Sequence, residues 1–197
     1  MSAAAEPLGL VLCGGRSERM GRDKALLPWG DGDLLDHALA RLAAVVPEVA
    51  VLSGPSPRYA ERGVAVVVDA GVADGPIAGL AAGLAHAAGR PVLLLAVDLP
   101  LVPVALLRAL AEALPGHDAV VPVSPRGREP LCAAYGPACL ASIEARRAVG
   151  DRRMTAFWPD VRVREWTGPE VARFGDPEAL FLNLNTDADL TRARVIG

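Results

Sequence analysis

The chain has 197 residues, of which 52% are apolar and 22% are charged, and its formal net charge is −3. This size and composition predict a single globular domain, residues 1–197, with a substantial core. The charge balance argues against nucleic-acid and membrane-surface binding, and no apolar run is long enough to span a bilayer. The cysteines, Cys13, Cys132 and Cys139, form no CxxC pair, which favours free thiols in a reducing cytoplasm.

Short apolar runs alternate with segments of helical spacing along the chain. The apolar runs predict strands at 8–13, 49–53, 64–69, 91–98, 118–123, 130–135 and 161–166. The helical spacing predicts helices at 34–46, 76–88, 103–114, 137–150 and 186–194, with Asp33, Pro76 and Thr186 at three of their starts. Such units predict an α/β fold: a Rossmann-like three-layer sandwich with helices on both faces of a mostly parallel sheet. The stretches at 125–129 and 168–178 are predicted to be mobile surface segments.

The loop after the first predicted strand is unusual in its charges and glycines. In open α/β sheets, ligands bind beyond the carboxyl ends of the strands. Lys24 is the only lysine among 20 basic residues. Gly14 and Gly15 leave backbone N–H groups open to an anion, and Arg19 and Lys24 help to make the loop positive. These features suit a polyphosphate, although the loop is neither a P-loop nor GxGxxG; the alternative is a glycine turn with solvated charges.

Three further positions follow strands or open helices. Asp98 ends the most apolar predicted strand, where a carboxylate is costly to desolvate unless it meets a cation. Mg²⁺ suits it, because that ion binds one or two carboxylates together with phosphate oxygens; the alternative is a turn or helix-cap aspartate. Asp69 could accept hydrogen bonds from a nucleoside or support the metal, or could equally be a turn residue. Gly75 precedes a helix N-terminus that forms a further anion site.

Asn183 and Asn185 are the only asparagines, and the chain has no glutamine. On an extended segment, residues two apart face the same side. Amides donate and accept hydrogen bonds, which suits a heterocycle or a phosphate. The alternative is a role in a turn and helix cap.

The run LCGGRSERMGRDKALL resembles the signature loop of the molybdenum cofactor guanylyltransferase family, LAGGxSxRMGxDKxLL. The later segments DGPIAGL, LLLAVDLPLV and FLNLNTDADL resemble that family's other blocks in the same order, so the resemblance extends from Leu8 to Leu190. It implies a fold like that of nucleotide-diphospho-sugar transferases. It also implies that GMP passes from GTP to the terminal phosphate of molybdopterin or the molybdenum cofactor, releasing pyrophosphate.

The resemblance implies roles for individual residues. Arg19 and Lys24 would neutralise the triphosphate and the departing pyrophosphate, and Asp98 would hold Mg²⁺. The implied nucleotide-binding residues are Leu12, Cys13, Gly14, Gly15, Lys24, Ser53, Asp69, Gly75 and Asp98. The implied acceptor-binding residues are Asn183, Asn185 and Glu129. The implied partners are GTP, molybdopterin and, beyond them, other cofactor-biosynthesis or molybdoenzyme-maturation proteins.

Three positions depart from the family pattern. Cys13 stands where alanine is usual, and Ser53 stands where some relatives have asparagine near the base. Glu129 stands where glutamine is common before Pro-Leu, and a carboxylate there cannot donate a hydrogen bond and would repel phosphate.

Other functions stay open at this point. A molybdopterin cytidylyltransferase is one, although Gly14-Gly15 argues against it. Another small nucleotidylyltransferase, such as a sugar-phosphate enzyme, is a second, but those chains are generally longer. A non-catalytic nucleotide-binding adaptor for cofactor insertion is the third, and the presence of Lys24 and Asp98 argues against it, because a binder could dispense with a metal carboxylate.

Overall fold

The computed structural model describes residues 5–13, 23–69 and 75–196. The strands in these ranges are β1 (Leu8–Leu12), β2 (Pro28–Trp29), β3 (Gly32–Asp33), β4 (Glu48–Leu52), β5 (Ala65–Val67), β6 (Val92–Ala96), β7 (Ala119–Ser124), β8 (Gly127–Arg128), β9 (Cys132–Tyr135) and β10 (Val163–Trp166). The helices are α1 (Leu34–Ala43), α2 (Pro76–His86), α3 (Val104–Ala113), α4 (Cys139–Ala148), α5 (Gly168–Val171), α6 (Pro177–Leu180) and α7 (Asp187–Ile196). Every predicted strand and helix is present, with ends that differ by three residues or fewer.

The main sheet has the strand order β10-β7-β9-β6-β1-β4-β5, and β8 pairs with β7. Strands β6, β1, β4 and β5 are parallel to their neighbours in that run, and β10 is parallel to β7. Strand β9 runs antiparallel to both β6 and β7. The sheet is therefore mostly parallel, as predicted, and the carboxyl ends of β6, β1, β4 and β5 lie along one edge.

Helices cover both faces of the sheet. Along β1, Leu8, Leu10 and Leu12 pack in one apolar cluster with residues of α2 and α4. Val11 packs in the other cluster, with residues of α1, α3 and α7. Because successive side chains of a strand point to opposite faces, one buried strand serves both layers. This arrangement confirms the predicted three-layer α/β sandwich.

The predicted helix starts have the expected caps. The Asp33 carboxylate accepts a hydrogen bond from the backbone N–H of Asp36 at 2.9 Å, and Pro76 occupies the first turn of α2. At α7, the backbone N–H of Thr186 donates to the Asp189 carboxylate at 2.9 Å, and the Asp189 N–H donates to the Thr186 hydroxyl at 3.1 Å. These bonds satisfy N–H groups that have no partner inside the helix.

Some secondary structure was not predicted, including strand β8, which lies in the stretch 125–129. Strands β2 and β3 form a short antiparallel hairpin between the first loop and α1. The stretch 168–178 contains α5 and the start of α6, and next to it the rings of Trp166 and Phe174 stack with centroids 6.0 Å apart. Among the described residues, no helix has both the length and the apolar character needed to cross a membrane.

Candidate active site

Lys24, Asp98 and Asn185 meet at the carboxyl edge of the parallel strands. The ammonium nitrogen of Lys24 lies 2.8 Å from the amide oxygen of Asn185 and 3.4 Å from a carboxylate oxygen of Asp98. The resemblance assigned Lys24 and Asp98 to catalysis and Asn185 to the acceptor. The structure brings all three together, although they are far apart in sequence.

Backbone geometry explains this convergence. Lys24 is the first residue of a 3₁₀ turn, Lys24–Leu26, that follows the loop after β1. Asp98 lies just beyond the end of β6, the strand adjacent to β1. The backbone N–H of Leu184 donates to the carbonyl of Asp98 at 3.0 Å, which fixes the asparagine segment against the loop after β6.

The Lys24–Asp98 pair is partly exposed to solvent, with the two side chains 20% and 22% exposed, and its 3.4 Å separation is long for an ion pair. A pair of this kind contributes only about 0–1 kcal/mol to stability. The pair matters mainly because it places a cation and a carboxylate next to each other at the carboxyl edge of the sheet. Among the described residues, no group of three or more His, Cys, Asp or Glu could hold a metal ion. An accessible single carboxylate fits Mg²⁺ bound largely by substrate phosphates and water.

A second polar network, which was not predicted from the sequence, joins Asp23, Arg58 and Tyr59. One carboxylate oxygen of Asp23 accepts from Arg58 at 3.0 Å and from the Tyr59 hydroxyl at 2.7 Å. Its other oxygen accepts from the backbone N–H of Ala25 at 3.1 Å and so caps the 3₁₀ turn. The available sequence signal was that Arg58 and Tyr59 follow shortly after β4, on the edge where ligands bind.

Ser53 and Cys13 lie side by side where β4 and β1 end. Ser53 is fully buried, and its hydroxyl donates to the Ser56 carbonyl at 2.7 Å. This hydroxyl is therefore engaged within its own turn. Burial raises the pKa of the Cys13 thiol far above its usual value, so this thiol stays protonated and unreactive.

Asp69 and Leu12 pack against α2 at a glycine. A Cβ atom placed on Gly79 would lie 3.0 Å from a methyl of Leu12 and 3.7 Å from a carboxylate oxygen of Asp69. The missing side chain at Gly79 thus admits both groups. Gly75 caps the same helix with a positive φ of 64°, which suits glycine.

Three residues assigned from the sequence, Gly14, Gly15 and Arg19, lie outside the described residues. Their assignment to the nucleotide stays a prediction. The described residues on either side, Cys13 and Asp23, place the two ends of this loop beside β1 and β4.

Glu129 lies in a turn-rich segment after β8. Its carboxylate accepts from the Ser124 hydroxyl at 2.6 Å. Burial raises the pKa of Glu129, while the Ser124 hydrogen bond and the charge of Arg126 oppose that rise. At the start of α7 the Thr186 hydroxyl holds down the pKa of Asp189, and Arg126 contributes to the same lowering. Arg126 is thus within electrostatic reach of both Glu129 and the α7 cap.

Asn183 and Asn185 flank Leu184, which is fully buried. Asn183 is partly buried and Asn185 is exposed. This alternation is the one predicted for an extended segment, with both amides on the side away from the core. The side chain of Asn185 accepts a hydrogen bond from Lys24, whereas Asn183 is the less exposed of the two.

Residues 9–163 match the family model described as the MobA-like NTP transferase domain. A molybdenum cofactor guanylyltransferase from Rhizobium leguminosarum bv. trifolii is 37% identical, over 95% of this chain and 91% of its own length. The crystal structure of molybdopterin-guanine dinucleotide biosynthesis protein A from Archaeoglobus fulgidus is 25% identical with a TM-score of 0.80, covering 96% of this chain and 97% of that chain. A protein from Mycobacterium tuberculosis H37Rv, solved in complex with manganese, shares the fold at 23% identity and a TM-score of 0.67, covering 97% and 98%.

Proposed function

This chain belongs to the MobA-like NTP transferase family, and we propose that it transfers GMP from GTP to molybdopterin or the molybdenum cofactor. Pyrophosphate leaves, and the product is a guanine dinucleotide cofactor. The observation that carries this proposal is the convergence of Lys24, Asp98 and Asn185 at the carboxyl edge of the sheet. A binding adaptor would have no need of a cation and a carboxylate side by side at this edge.

Lys24 is proposed to neutralise charge on the phosphates. In the reaction, an oxygen of the acceptor phosphate attacks the α-phosphorus of GTP, and the bond from that phosphorus to the oxygen bridging to the β-phosphate breaks. Negative charge then grows on pyrophosphate, and pre-positioned cations stabilise such charge. The Lys24 ammonium has three N–H donors, of which one serves Asn185 at 2.8 Å and another makes a long contact with Asp98 at 3.4 Å. A phosphate oxygen can accept the third.

Asp98 is proposed to hold a divalent cation, with Mg²⁺ as the physiological ion. Its partly exposed carboxylate supports this assignment, as does the manganese complex of the Mycobacterium tuberculosis protein with the same fold. When bound, the ion would offset the negative charge of the triphosphate.

The remaining assignments follow the strand ends. We propose that the nucleotide lies along β1, β4 and β5, within reach of Leu12, Cys13, Gly14, Gly15, Ser53, Asp69 and Gly75. The hydroxyl, the backbone N–H and the carbonyl of Ser53 all have partners within the protein, so Ser53 is proposed to shape the nucleotide site rather than to donate a free hydrogen bond to the nucleotide. We propose that the acceptor phosphate lies beside Asn183, Asn185 and Glu129, with Arg126 as the nearby positive charge.

We propose that residues 1–197 form one nucleotidyltransferase domain that works in the cytoplasm. The three cysteines are free and buried, which supports a reducing compartment. Because the pterin product is fragile, we propose handover to other cofactor-biosynthesis or molybdoenzyme-maturation proteins.

The test compares GTP, CTP and ATP as donors with molybdopterin as the acceptor, with and without Mg²⁺, in wild type and Asp98→Asn. We expect dinucleotide formation and pyrophosphate release with GTP, and a dependence on Mg²⁺ that the variant loses. A preference for CTP would instead identify a cytidylyltransferase. Nucleotide binding detected by calorimetry, without any turnover, would instead support the non-catalytic nucleotide-binding adaptor.

A further inference from the structure

Asp23 is held from three directions. The Ala25 N–H reaches one carboxylate oxygen at 3.1 Å, while Arg58 and the Tyr59 hydroxyl reach the other at 3.0 and 2.7 Å. We call Asp23, Arg58 and Tyr59 the Asp23 clamp. Charge-assisted hydrogen bonds of this kind are about twice as strong as neutral ones, so the position of the Asp23 side chain is well determined.

Arg58 ties the clamp to the sheet. Its second terminal nitrogen donates to the carbonyl of Cys13 at 3.3 Å and to the carbonyl of Ser53 at 3.2 Å. These carbonyls directly follow the last residues of β1 and β4, which are neighbours in the sheet. One guanidinium therefore joins the ends of two core strands to Asp23, using the planar fork that lysine lacks.

Tyr59 donates to Asp23 although its own backbone has a strained conformation. Its φ of 67° and ψ of 23° lie in the left-handed region, which is unfavourable for a bulky residue. Such strain persists where surrounding contacts enforce it, and it clusters at functional sites. Tyr59 is buried, and its ring lies 5.0 Å from the Arg58 guanidinium carbon. Burial, the Asp23 hydrogen bond and the Asp23 charge raise the pKa of the Tyr59 hydroxyl, so it remains a hydrogen-bond donor.

The clamp holds the residue directly before Lys24. Asp23 caps the 3₁₀ turn whose first residue is Lys24, and the backbone N–H of Leu26 donates to the Asp23 carbonyl at 3.1 Å. From this anchored backbone the Lys24 side chain extends to Asn185 and Asp98. We propose that Arg58 and Tyr59 are positioning residues that fix, through Asp23, the place of the Lys24 ammonium at the site. This inference rests on the proposed function, because it assigns Lys24 to the phosphates.

The competing interpretation is a purely structural clamp that staples the segment after β4 to β1. Both interpretations expect some loss of stability on mutation. They differ in what happens at the Lys24 side chain, because only positioning predicts that its mobility increases. Since Lys24 is the chain's only lysine, isotope-labelled lysine gives one side-chain NMR signal, and its relaxation reports the order of that ammonium alone.

The experiment measures that signal in the full chain for wild type, Tyr59→Phe, Arg58→Gln and Arg62→Gln. Arg62→Gln is the matched control, because Arg62 binds the carboxylates of Asp33 and Asp36 at the start of α1 and does not contact Asp23. We expect the Lys24 signal to become more mobile in Tyr59→Phe and Arg58→Gln and to stay as in wild type in the control. Glutamine is used at position 58 because a lysine there would add a second signal.

Turnover gives the second readout. Displaced catalytic groups lower the rate steeply, so we expect kcat to fall roughly tenfold in Tyr59→Phe and Arg58→Gln. The KM for GTP should change little, which is the signature of a lost transition-state interaction. Tyr59→Phe removes one hydroxyl, so it decides the question if Arg58→Gln fails to fold.

The outcomes separate the two proposals. A Lys24 signal as rigid in both clamp variants as in wild type would overturn the positioning role. If wild type transfers no nucleotide but Lys24 loosens in the clamp variants, the proposed function fails and the clamp is supported.

Discussion

The two halves of the main sheet bring polar side chains to the site by different routes. In the parallel half, β6-β1-β4-β5, strand ends deliver the residues directly: Asp98 follows β6, and Lys24 lies in the segment after β1. In the mixed half, β9-β7-β10, the reversed strand β9 breaks this pattern. There the polar groups Ser124 and Glu129 come from the hairpin formed by β7 and β8. The strand-end rule thus locates the proposed nucleotide side and also Ser124 at the end of β7, whereas the position of Glu129 depends on the hairpin.

The halves also differ in electrostatics. On the nucleotide side the cations are met by oxygen ligands, as Lys24 is by Asn185 and Arg58 is by Asp23. On the acceptor side a carboxylate, Glu129, is partly desolvated, and burial raises its pKa. The nucleotide side thus holds its cations in fixed positions, whereas the acceptor side carries a carboxyl group whose burial disfavours its own charged form.

Replacing Lys24 should give the largest effect. We expect Lys24→Ala to lower kcat by roughly 10²–10³-fold, the usual loss when one stabilising charge or donor is removed. Lys24→Arg should restore only part of this rate, because a planar fork does not replace a compact point charge. The measurement is initial-rate dinucleotide formation at saturating GTP.

Arg90→Ala is the control for Lys24→Ala. Arg90 pairs with Glu48 at 2.7 Å at the opposite, amino edge of the sheet, so its loss should leave turnover unchanged. Near-normal turnover in Lys24→Ala would show that the carboxyl edge is not where the chemistry occurs.

Much of this comparison could be predicted from the sequence, and the exceptions have physical causes. Lys24 and Asp98 stand out because strand ends of a parallel sheet converge. Arg58 does not, since its bond to Asp23 spans 35 residues and depends on β1 and β4 being neighbours. Strand order is not encoded in the local periodicity that reveals strands.

Two other features show how far local sequence patterns can predict backbone conformation and strand direction. Tyr59 adopts a left-handed conformation that the sequence would normally mark with glycine. The antiparallel direction of β9 could have been predicted, because the connection between β7 and β9 is too short for the crossover that parallel neighbours require.

A substitution of Asn185 tests the hydrogen bond between this residue and Lys24. Asn185→Leu keeps a similar volume and removes the oxygen that lies 2.8 Å from the Lys24 ammonium. We expect kcat to fall about tenfold, because the ammonium loses its shortest hydrogen bond, and the KM for the acceptor to rise, because Asn185 is also proposed to lie beside the acceptor phosphate. Asn183→Leu should raise the KM for the acceptor without the fall in kcat, since Asn183 does not contact Lys24. Steady-state kinetics in both substrates distinguish these effects, and identical profiles for the two variants would contradict the distinction.

Glu129→Gln tests the acceptor side. The amide oxygen can still accept from Ser124, while the negative charge is lost. We expect the KM for the acceptor to fall a few-fold, because repulsion of its phosphate is removed. An unchanged KM would place the acceptor phosphate away from this segment.

The same variant has a stability signature. Because the pKa of Glu129 is raised in the folded chain, folding takes up protons, so this contribution is full below the unfolded pKa, about 4.3, and is lost as pH rises through the folded pKa. The stability of Glu129→Gln relative to wild type should therefore increase between pH 4 and about pH 7, measured by denaturant unfolding.

Asp189 should give the smallest effect, with the opposite dependence on pH. Its carboxylate accepts from the N–H groups of Asn185 and Thr186 at 3.0 and 2.9 Å, so Asp189→Ala should cost about 1 kcal/mol, the usual loss of a helix cap. Its pKa is lowered, chiefly by the Thr186 hydroxyl, so its contribution is present above the unfolded pKa, about 3.9, and is lost on acidification. Unfolding midpoints from pH 3 to about pH 7 should thus diverge in opposite directions for Asp189→Ala and Glu129→Gln relative to wild type. Arg126 lowers the pKa of both carboxyls, so Arg126→Gln should shift both dependences toward higher pH, and a shift in only one of them would show that Arg126 does not act on both Glu129 and the start of α7.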